Sequence, residues 1–323
     1  MDAISRLIQL ARPEGCVDLR CLLGGRFELE NPATSPETAP FHLLLAGRAL
    51  VEFAGRTIEL SPGDVVLFPR GTAHRVFTDR GGEPVRTVAE PGVAFPTLRS
   101  PGAQPEIDLF CGHYRLTPGA GELLLRTLPE PLLVSFGADE PVRMLSTLMR
   151  QEAQANGLGA ATVVSSLCNA LLAMVLRSSP QQRLSGEMLW TAADDDAVRS
   201  VIDAVLSEPG RDWGITQLAH RAAMSRATFI RHFRLGTGMA VGEFLTRLRM
   251  MIAADLLLGG NQPVSAIANA VGYRSTSAFG RAFRAATATT PARFRSHRRG
   301  VRSRSSTEQA ADAEQEPVRA DER

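Results

Sequence analysis

Two stretches in the last third of the chain repeat each other 50 residues apart, which restricts that region to one kind of local structure. Ile215-Thr216-Gln217-Leu218-Ala219 matches Val264-Ser265-Ala266-Ile267-Ala268. Each is followed by a turn and then by Ser225-Arg226-Ala227-Thr228-Phe229-Ile230-Arg231-His232-Phe233 or Ser275-Thr276-Ser277-Ala278-Phe279-Gly280-Arg281-Ala282-Phe283. Ser225 and Ser275 suit a helix N-cap, because a hydroxyl accepts from the otherwise unpaired amides of the first turn. In both copies two phenylalanines four residues apart share one helix face, while the arginine between them points elsewhere. A short helix, a tight turn and a capped second helix form the helix-turn-helix pattern, whose second helix enters the DNA major groove. One such match is weak, since many helical hairpins look alike. Two, joined by a single helix from about Val241 to Leu258, are strong. The rival reading is a helical bundle with solvated arginines; repeat, caps and charge together argue against it.

The charge distribution agrees. Residues 197–300 carry 15 Arg against 5 Asp and Glu, residues 1–196 carry 17 Arg against 23 acids, and residues 301–323 carry 4 Arg against 6. The net charge of +2 thus conceals a basic third on an acidic body, and the basic third calls for a polyanion partner. At 323 residues, two cores are expected rather than one.

The N-terminal half is written differently. Residues 1–14 have helical spacing (Ile4, Leu7, Ile8, Leu10). Short β-rich runs then follow between Pro and Gly clusters: Phe41–Ala46, Ala49–Phe53, Thr57–Leu60, Asp64–Phe68, His74–Phe77 and Ile107–Leu116. Strands at even spacing without intervening helices predict an antiparallel barrel or jelly roll. Helical spacing returns from Pro141 to Leu176, with a break near Asn156-Gly157. The fold class is therefore multi-domain α and β: a β-barrel with flanking helices over 1–176, a linker over 177–196, an all-α double helix-turn-helix domain over 197–297, and a polar tail over 298–323 expected to be disordered. No signal peptide is visible at the start. The longest oily stretch, Val163–Leu176, is interrupted by Ser165, Ser166 and Asn169, and at about 14 residues falls short of the roughly 20 that span a bilayer. A cytoplasmic protein without membrane contact is expected, so Cys16, Cys21, Cys111 and Cys168 would rest as thiols.

Gly63-Asp64-Val65-Val66-Leu67-Phe68-Pro69-Arg70-Gly71-Thr72-Ala73-His74 fits the pattern G-x5-P-x-G-x2-H, the second motif of the cupin fold. Its Pro/Gly turn aims an imidazole into a small barrel. The first cupin motif needs two histidines and an acid. Here His42 supplies one imidazole, Pro40 stands at the other position, and Ala46 and Gly47 stand near the acid's. Two imidazoles without the acid do not make the iron or manganese centre of an oxygenase, so no enzyme is expected. Two readings of His42 and His74 stay open: ligands of a copper-like ion, with His113 or a thiolate as a third, or imidazoles satisfied by hydrogen bonds. The cysteines divide the same way. Cys168 sits on an apolar helix and reads as packing; Cys16 and Cys21 fall in an irregular segment before the barrel, and Cys111 on a strand. Spacing alone does not reveal a redox pair.

Residues 197–297, with Gly272-Tyr273, Phe279, Phe283, Thr290-Pro291 and Phe294, resemble the DNA-binding domain of the AraC/XylS transcription regulators. The resemblance implies promoter DNA and RNA polymerase as partners, and allows a homodimer. It implies that Ala227, Ile230 and Arg231 of the first recognition helix, and Thr276, Ser277 and Arg281 of the second, face base edges. Arg226, Arg234, Arg247, Arg274 and Arg284 would touch phosphates, which position a domain without reading sequence. Met1–Leu7, Cys21-Leu22-Leu23-Gly24, Phe41-His42, the cupin motif, Cys111-Gly112 and Arg115-Leu116 further resemble the reactive-chlorine-sensing subgroup of AraC-type activators. That resemblance implies that Cys21 and Cys111 are redox cysteines sensing hypochlorous acid. Cys21, in the irregular segment, is expected to be the first target and Cys111, on a strand, its resolving partner. Arg20, Arg26, His113 and Arg115 are the charges expected to lower their pKa values. A small organic effector, copper, or a cupin enzyme tethered to DNA are the rival readings.

Overall fold

A computed structural model describes residues 3–178 and 196–296, apart from 36, 103, 117–120, 122–124, 126–127, 138–139, 156 and 238. All but the ends of the expected linker, and all of the expected tail, lie outside the described residues.

Helix α1 (Ala3–Ala11) leads through Arg12 and Pro13 directly into β1 (Glu14–Leu23). The barrel strands follow as β2 (Glu28–Asn31), β3 (Thr38–Ala46), β4 (Ala49–Phe53), β5 (Arg56–Leu60), β6 (Asp64–Leu67), β7 (His74–Phe77), β8 (Val88–Glu90), β9 (Thr97–Arg99), β10 (Ile107–Arg115) and β11 (Leu132–Ser135). They form a seven-stranded sheet in the order β11-β6-β3-β10-β1-β9-β8 and a four-stranded sheet in the order β2-β7-β4-β5. Pairing is antiparallel except between β1 and β9. This is the jelly roll that the strand spacing predicts.

The central strands of the larger sheet are buried on both faces, which is why β3, β6 and β10 are rich in apolar residues without a polar alternation. One face, with Cys21, Leu44, Val66, Leu109 and Cys111, shares a core with Val51 and Val76 of the smaller sheet. The opposite face, with Phe41, Leu43, Phe110 and Tyr114, packs under α1 and α3 (Ala160–Arg177). Helix α2 (Glu140–Ala155) completes that layer.

Strand β1 departs from the sequence reading, which left Cys16 and Cys21 in irregular chain. It pairs with β10 along its whole length, with a bulge between Val17 and Leu19. The bulge depends on Gly112, where a Cβ would lie 2.2 Å from the Cys16 carbonyl oxygen and 2.7 Å from the Phe41 ring. Arg20 disguises the strand. It is buried, and its Nε and Nη2 donate to the two carboxylate oxygens of Asp108 at 3.0 and 2.9 Å. Helix α3 is also longer than the apolar run within it. At 18 residues it is long and apolar enough to cross a bilayer, yet Ala160, Val164, Cys168, Leu171, Leu172, Val175 and Leu176 pack into the core. Asn169, which interrupts the run, accepts the Gly15 amide at 3.1 Å.

The C-terminal elements are α4 (Asp196–Ser207), α5 (Ile215–Arg221), α6 (Arg226–Thr237), α7 (Val241–Gly259), α8 (Val264–Ala270) and α9 (Thr276–Thr287). Leu7 and Ala11 of α1 are buried in a core continuous with that of these helices, and Arg12 bridges to Asp255 of α7 at 2.7 Å.

The Arg20–Asp108 pair gives a stability prediction. Asp108→Asn strands a buried guanidinium and should cost about 3–5 kcal/mol, measured by urea unfolding. The apolar double change Arg20→Met, Asp108→Leu should recover most of that loss. A single substitution costing under about 1 kcal/mol would mean that the pair behaves as an exposed one.

Candidate functional sites in the barrel and the helical domain

His42 lies on β3 directly across from Cys111 on β10. His74 opens β7 of the opposite sheet, aimed inward by the Pro69–Gly71 turn. Gly71 has φ +65°, and a Cβ there would stand 2.2 Å from Thr34 Oγ1, so the turn needs glycine. The side chains join in a chain: Cys111 Sγ to His42 Nδ1 at 3.1 Å, His42 Nε2 to His74 Nε2 at 2.7 Å, and His74 Nδ1 to the Thr72 carbonyl oxygen at 2.8 Å. His74 stacks on Phe68 with centroids 3.7 Å apart. Burial, then the neighbouring His74, lowers the pKa of His42 to about 3, and burial lowers that of His74. Both imidazoles are therefore neutral at pH 7.

Cys21 lies on the same face of β1, one diagonal step from Cys111: Leu19 is the lateral partner of Cys111, and Leu109 that of Cys21. The Cys21 thiol is the largest influence on Cys111, and with burial it pushes the Cys111 pKa well above its usual value. This reverses the expectation of a lowered sensor pKa. Of the charges expected to act on the two thiols, Arg20 and Arg26, expected beside Cys21, pair with Asp108 and Glu28, and His113, expected beside Cys111, pairs with Asp18. Both thiols are buried, not exposed. Cys168 lies in the core, where burial raises its pKa to about 12, and its carbonyl accepts the Tyr114 hydroxyl at 2.7 Å.

The residues do not fit a metal. Two imidazole nitrogens on a tetrahedral ion at roughly 2.0–2.1 Å would sit about 3.3 Å apart; at 2.7 Å they bond to each other. Among the described residues no group of three His, Cys, Asp or Glu is placed to hold an ion. Of the two readings of His42 and His74, the geometry favours the hydrogen-bonded one. The sequence reading missed the contact between His42 and Cys111, because 69 residues separate them.

In the C-terminal domain both recognition helices are capped as the serines predict. Ser225 Oγ accepts the Thr228 amide at 3.2 Å and Ser275 Oγ the Ala278 amide at 3.4 Å. The turns before them close alike, with Met224 donating to Ala219 and Tyr273 to Ala268 through the backbone. Phe229, Phe233, Phe279 and Phe283 are wholly buried against α7 and its neighbours. That packing turns the other face of each helix outward: Arg226, Ala227, Ile230 and Arg231 on α6, and Thr276, Ser277 and Arg281 on α9, are all exposed. Arg247 is held by Glu243 of its own helix at 2.6 Å.

Comparison with known proteins supplies the family. Residues 2–179 match the Cupin family model and residues 218–297 the helix-turn-helix domain model. An uncharacterized HTH-type transcriptional regulator of Haemophilus influenzae is 32% identical over 296 residues, covering 91% of this chain and 98% of its own. The chain belongs to the AraC-type transcription regulators that carry an N-terminal cupin domain. The RCS-specific HTH-type transcriptional activator RclR of Escherichia coli is 30% identical over 300 residues, covering 91% of this chain and 97% of its own. Among solved structures, the DNA-binding domain of AdpA, in complex with a target DNA, is 34% identical. It covers 32% of this chain and 92% of its own, with a TM-score of 0.31. The chain is thus a DNA-binding transcription regulator with a cupin domain.

The depressed imidazole pKa values make stability depend on pH. The unfolded chain takes up a proton near the ordinary 6.5, whereas His42 in the fold resists it to about 3. Stability should therefore fall as pH drops from about 6.5 toward 3, by up to about 1.4 kcal/mol per unit for that residue. Urea unfolding at several pH values should show a shallower slope for His42→Gln than for the parent. Identical slopes would mean that His42 titrates normally in the fold.

Proposed function

We propose that this regulator is an activator that senses hypochlorous acid or a similar oxidant through Cys21 and Cys111. The observation that carries the reading is the placement of these two thiols, which lie diagonally on one face of adjacent strands inside the sensor barrel. The similarity to RclR, whose name describes an RCS-specific activator, supports it. Oxidation of one thiol to a sulfenyl species, followed by condensation with the second, gives a disulfide. Diagonal neighbours on antiparallel strands have Cα atoms roughly 7–8 Å apart. Closure requires about 7 Å or less. Bonding therefore draws β1 along β10, and β1 runs straight into α1, which touches α4 and α7 of the DNA-binding domain. That is the route by which the sensor changes how the regulator meets its promoter.

On the DNA, Arg231 and Arg281 contact guanine edges, since a guanidinium can bond O6 and N7 together. Ala227 and Ile230 present apolar surface suited to thymine methyls, and Thr276 and Ser277 serve as short polar contacts. Arg226, Arg234, Arg274 and Arg284 meet phosphates. The protein acts in the cytoplasm on double-stranded promoter DNA together with RNA polymerase, and is no enzyme. The division 1–176, 177–196, 197–297 and 298–323 is kept as its domain plan.

Reporter assays in cells given hypochlorous acid test the switch. Cys21→Ser and Cys111→Ser should each abolish induction while leaving DNA binding by the reduced protein unchanged, and Cys168→Ser should be silent. Induction surviving in the Cys21→Ser, Cys111→Ser double variant would move the sensor elsewhere. Separately, Arg281→Ala should weaken specific DNA binding by about 1–3 kcal/mol and spare non-specific binding. Equal losses on specific and random duplexes would make Arg281 a phosphate contact.

A further inference from the structure

We propose that Cys111 is the thiol that meets the oxidant, and that the His42–His74 pair is its proton acceptor. The proposal rests on the redox reading above and assigns its first step.

The hydrogen-bond chain fixes its own direction. The Thr72 carbonyl can only accept, so His74 Nδ1 carries a hydrogen. In a neutral ring His74 Nε2 is then bare and accepts from His42 Nε2–H. His42 Nδ1 is bare in turn and accepts the Cys111 S–H. Every ring nitrogen along the chain has one role, and the Cys111 S–H lies within reach of two acceptors, His42 Nδ1 and the Cys21 sulfur.

Accessibility points the same way. Cys111 is 9% exposed and Cys21 0%. The groups facing Cys111 are Cys21 of β1, His42 of β3 and, beyond it, His74 of β7, with Asp18 at the β1 bulge farther off. None of these brings a positive charge to the sulfur, so a resting thiolate is not the reactive form. A thiol without a stabilised thiolate must shed its proton in the act of reaction, and His42, the acceptor in contact, resists holding a proton and so relays it. A proton passed to His42 Nδ1 releases the one on Nε2 to His74. His74 then holds it between His42 and the Thr72 carbonyl, with its ring against Phe68.

The chemistry balances. The Cys111 sulfur attacks the chlorine of hypochlorous acid, so that an S–Cl bond forms and the O–Cl bond breaks. The thiol proton enters the imidazole pair, which returns one to the departing hydroxide as water. Sulfur loses two electrons and chlorine gains them. The Cys21 sulfur then attacks Cys111, the S–S bond forms, chloride leaves and the Cys21 proton goes to water.

The test uses the reduced full-length protein with one equivalent or less of hypochlorous acid, rapid alkylation of remaining thiols, and peptide mapping against time. Cys111 should be lost before Cys21. His42→Gln and His74→Gln should each slow loss of Cys111 by about 100-fold at pH 7. His74 does not touch the sulfur, so a merely structural role would leave the pH profile alone. In His74→Gln the rate at Cys111 should instead rise about tenfold per pH unit, as for a thiol that reacts only when ionised. The order of loss in the unaltered protein stands even if a variant misfolds. Loss of Cys21 first, or Gln variants as fast as the parent with the same pH profile, overturns this assignment while leaving the redox reading intact. If neither thiol is lost, both readings fall together.

Discussion

The hydrogen bond between Cys111 and His42 is the contact around which the interior of the cupin barrel is arranged. It ties β10 to β3 at the centre of the larger sheet, and from His42 the chain of hydrogen bonds crosses to His74 of the smaller sheet. The residues around it are buried and apolar, so each polar group needs a partner inside the barrel. A thiol, two neutral imidazoles and a backbone carbonyl do this in one line. A carboxylate added to the line would have charged the histidines and invited a metal. With Ala46 and Gly47 at that place in the chain, the cupin motif instead supports a neutral proton path.

A second consequence concerns β1. It holds Cys21 beside Cys111, is bulged at the step between Val17 and Leu19, and continues into α1. Arg20 anchors it to Asp108 on the other face, and Arg150 adds a third group to that pair at 3.3 Å. Under the proposed switch, closure of the thiols acts on a paired strand and not on a loose segment, and that strand adjoins the helix that meets the DNA-binding domain.

The sequence made the C-terminal domain legible because everything that defines it is local. Each cap lies a few residues from the amide it satisfies, and each phenylalanine stripe repeats at helical spacing. The barrel strands with clear alternation were legible for the same reason. What escaped was set by long-range partners. Arg20 makes β1 look like exposed chain until its partner 88 residues away is known. Serines and Asn169 shorten the apparent apolar run of α3, yet Asn169 serves the Gly15 amide 154 residues distant. His42 and Cys111 were each singled out, one for metal and one for redox chemistry. That they belong to one chain of hydrogen bonds follows only from the register of β3 against β10.

The most direct measurement is nitrogen-15 spectroscopy of the two imidazoles before and after one equivalent of hypochlorous acid. In the reduced protein His42 should carry its hydrogen on Nε2 and His74 on Nδ1, and both should change when Cys111 loses its proton and bonds to Cys21. Spectra showing His42 protonated at Nδ1, or both rings unchanged while the thiols are consumed, would contradict this account of the sensor.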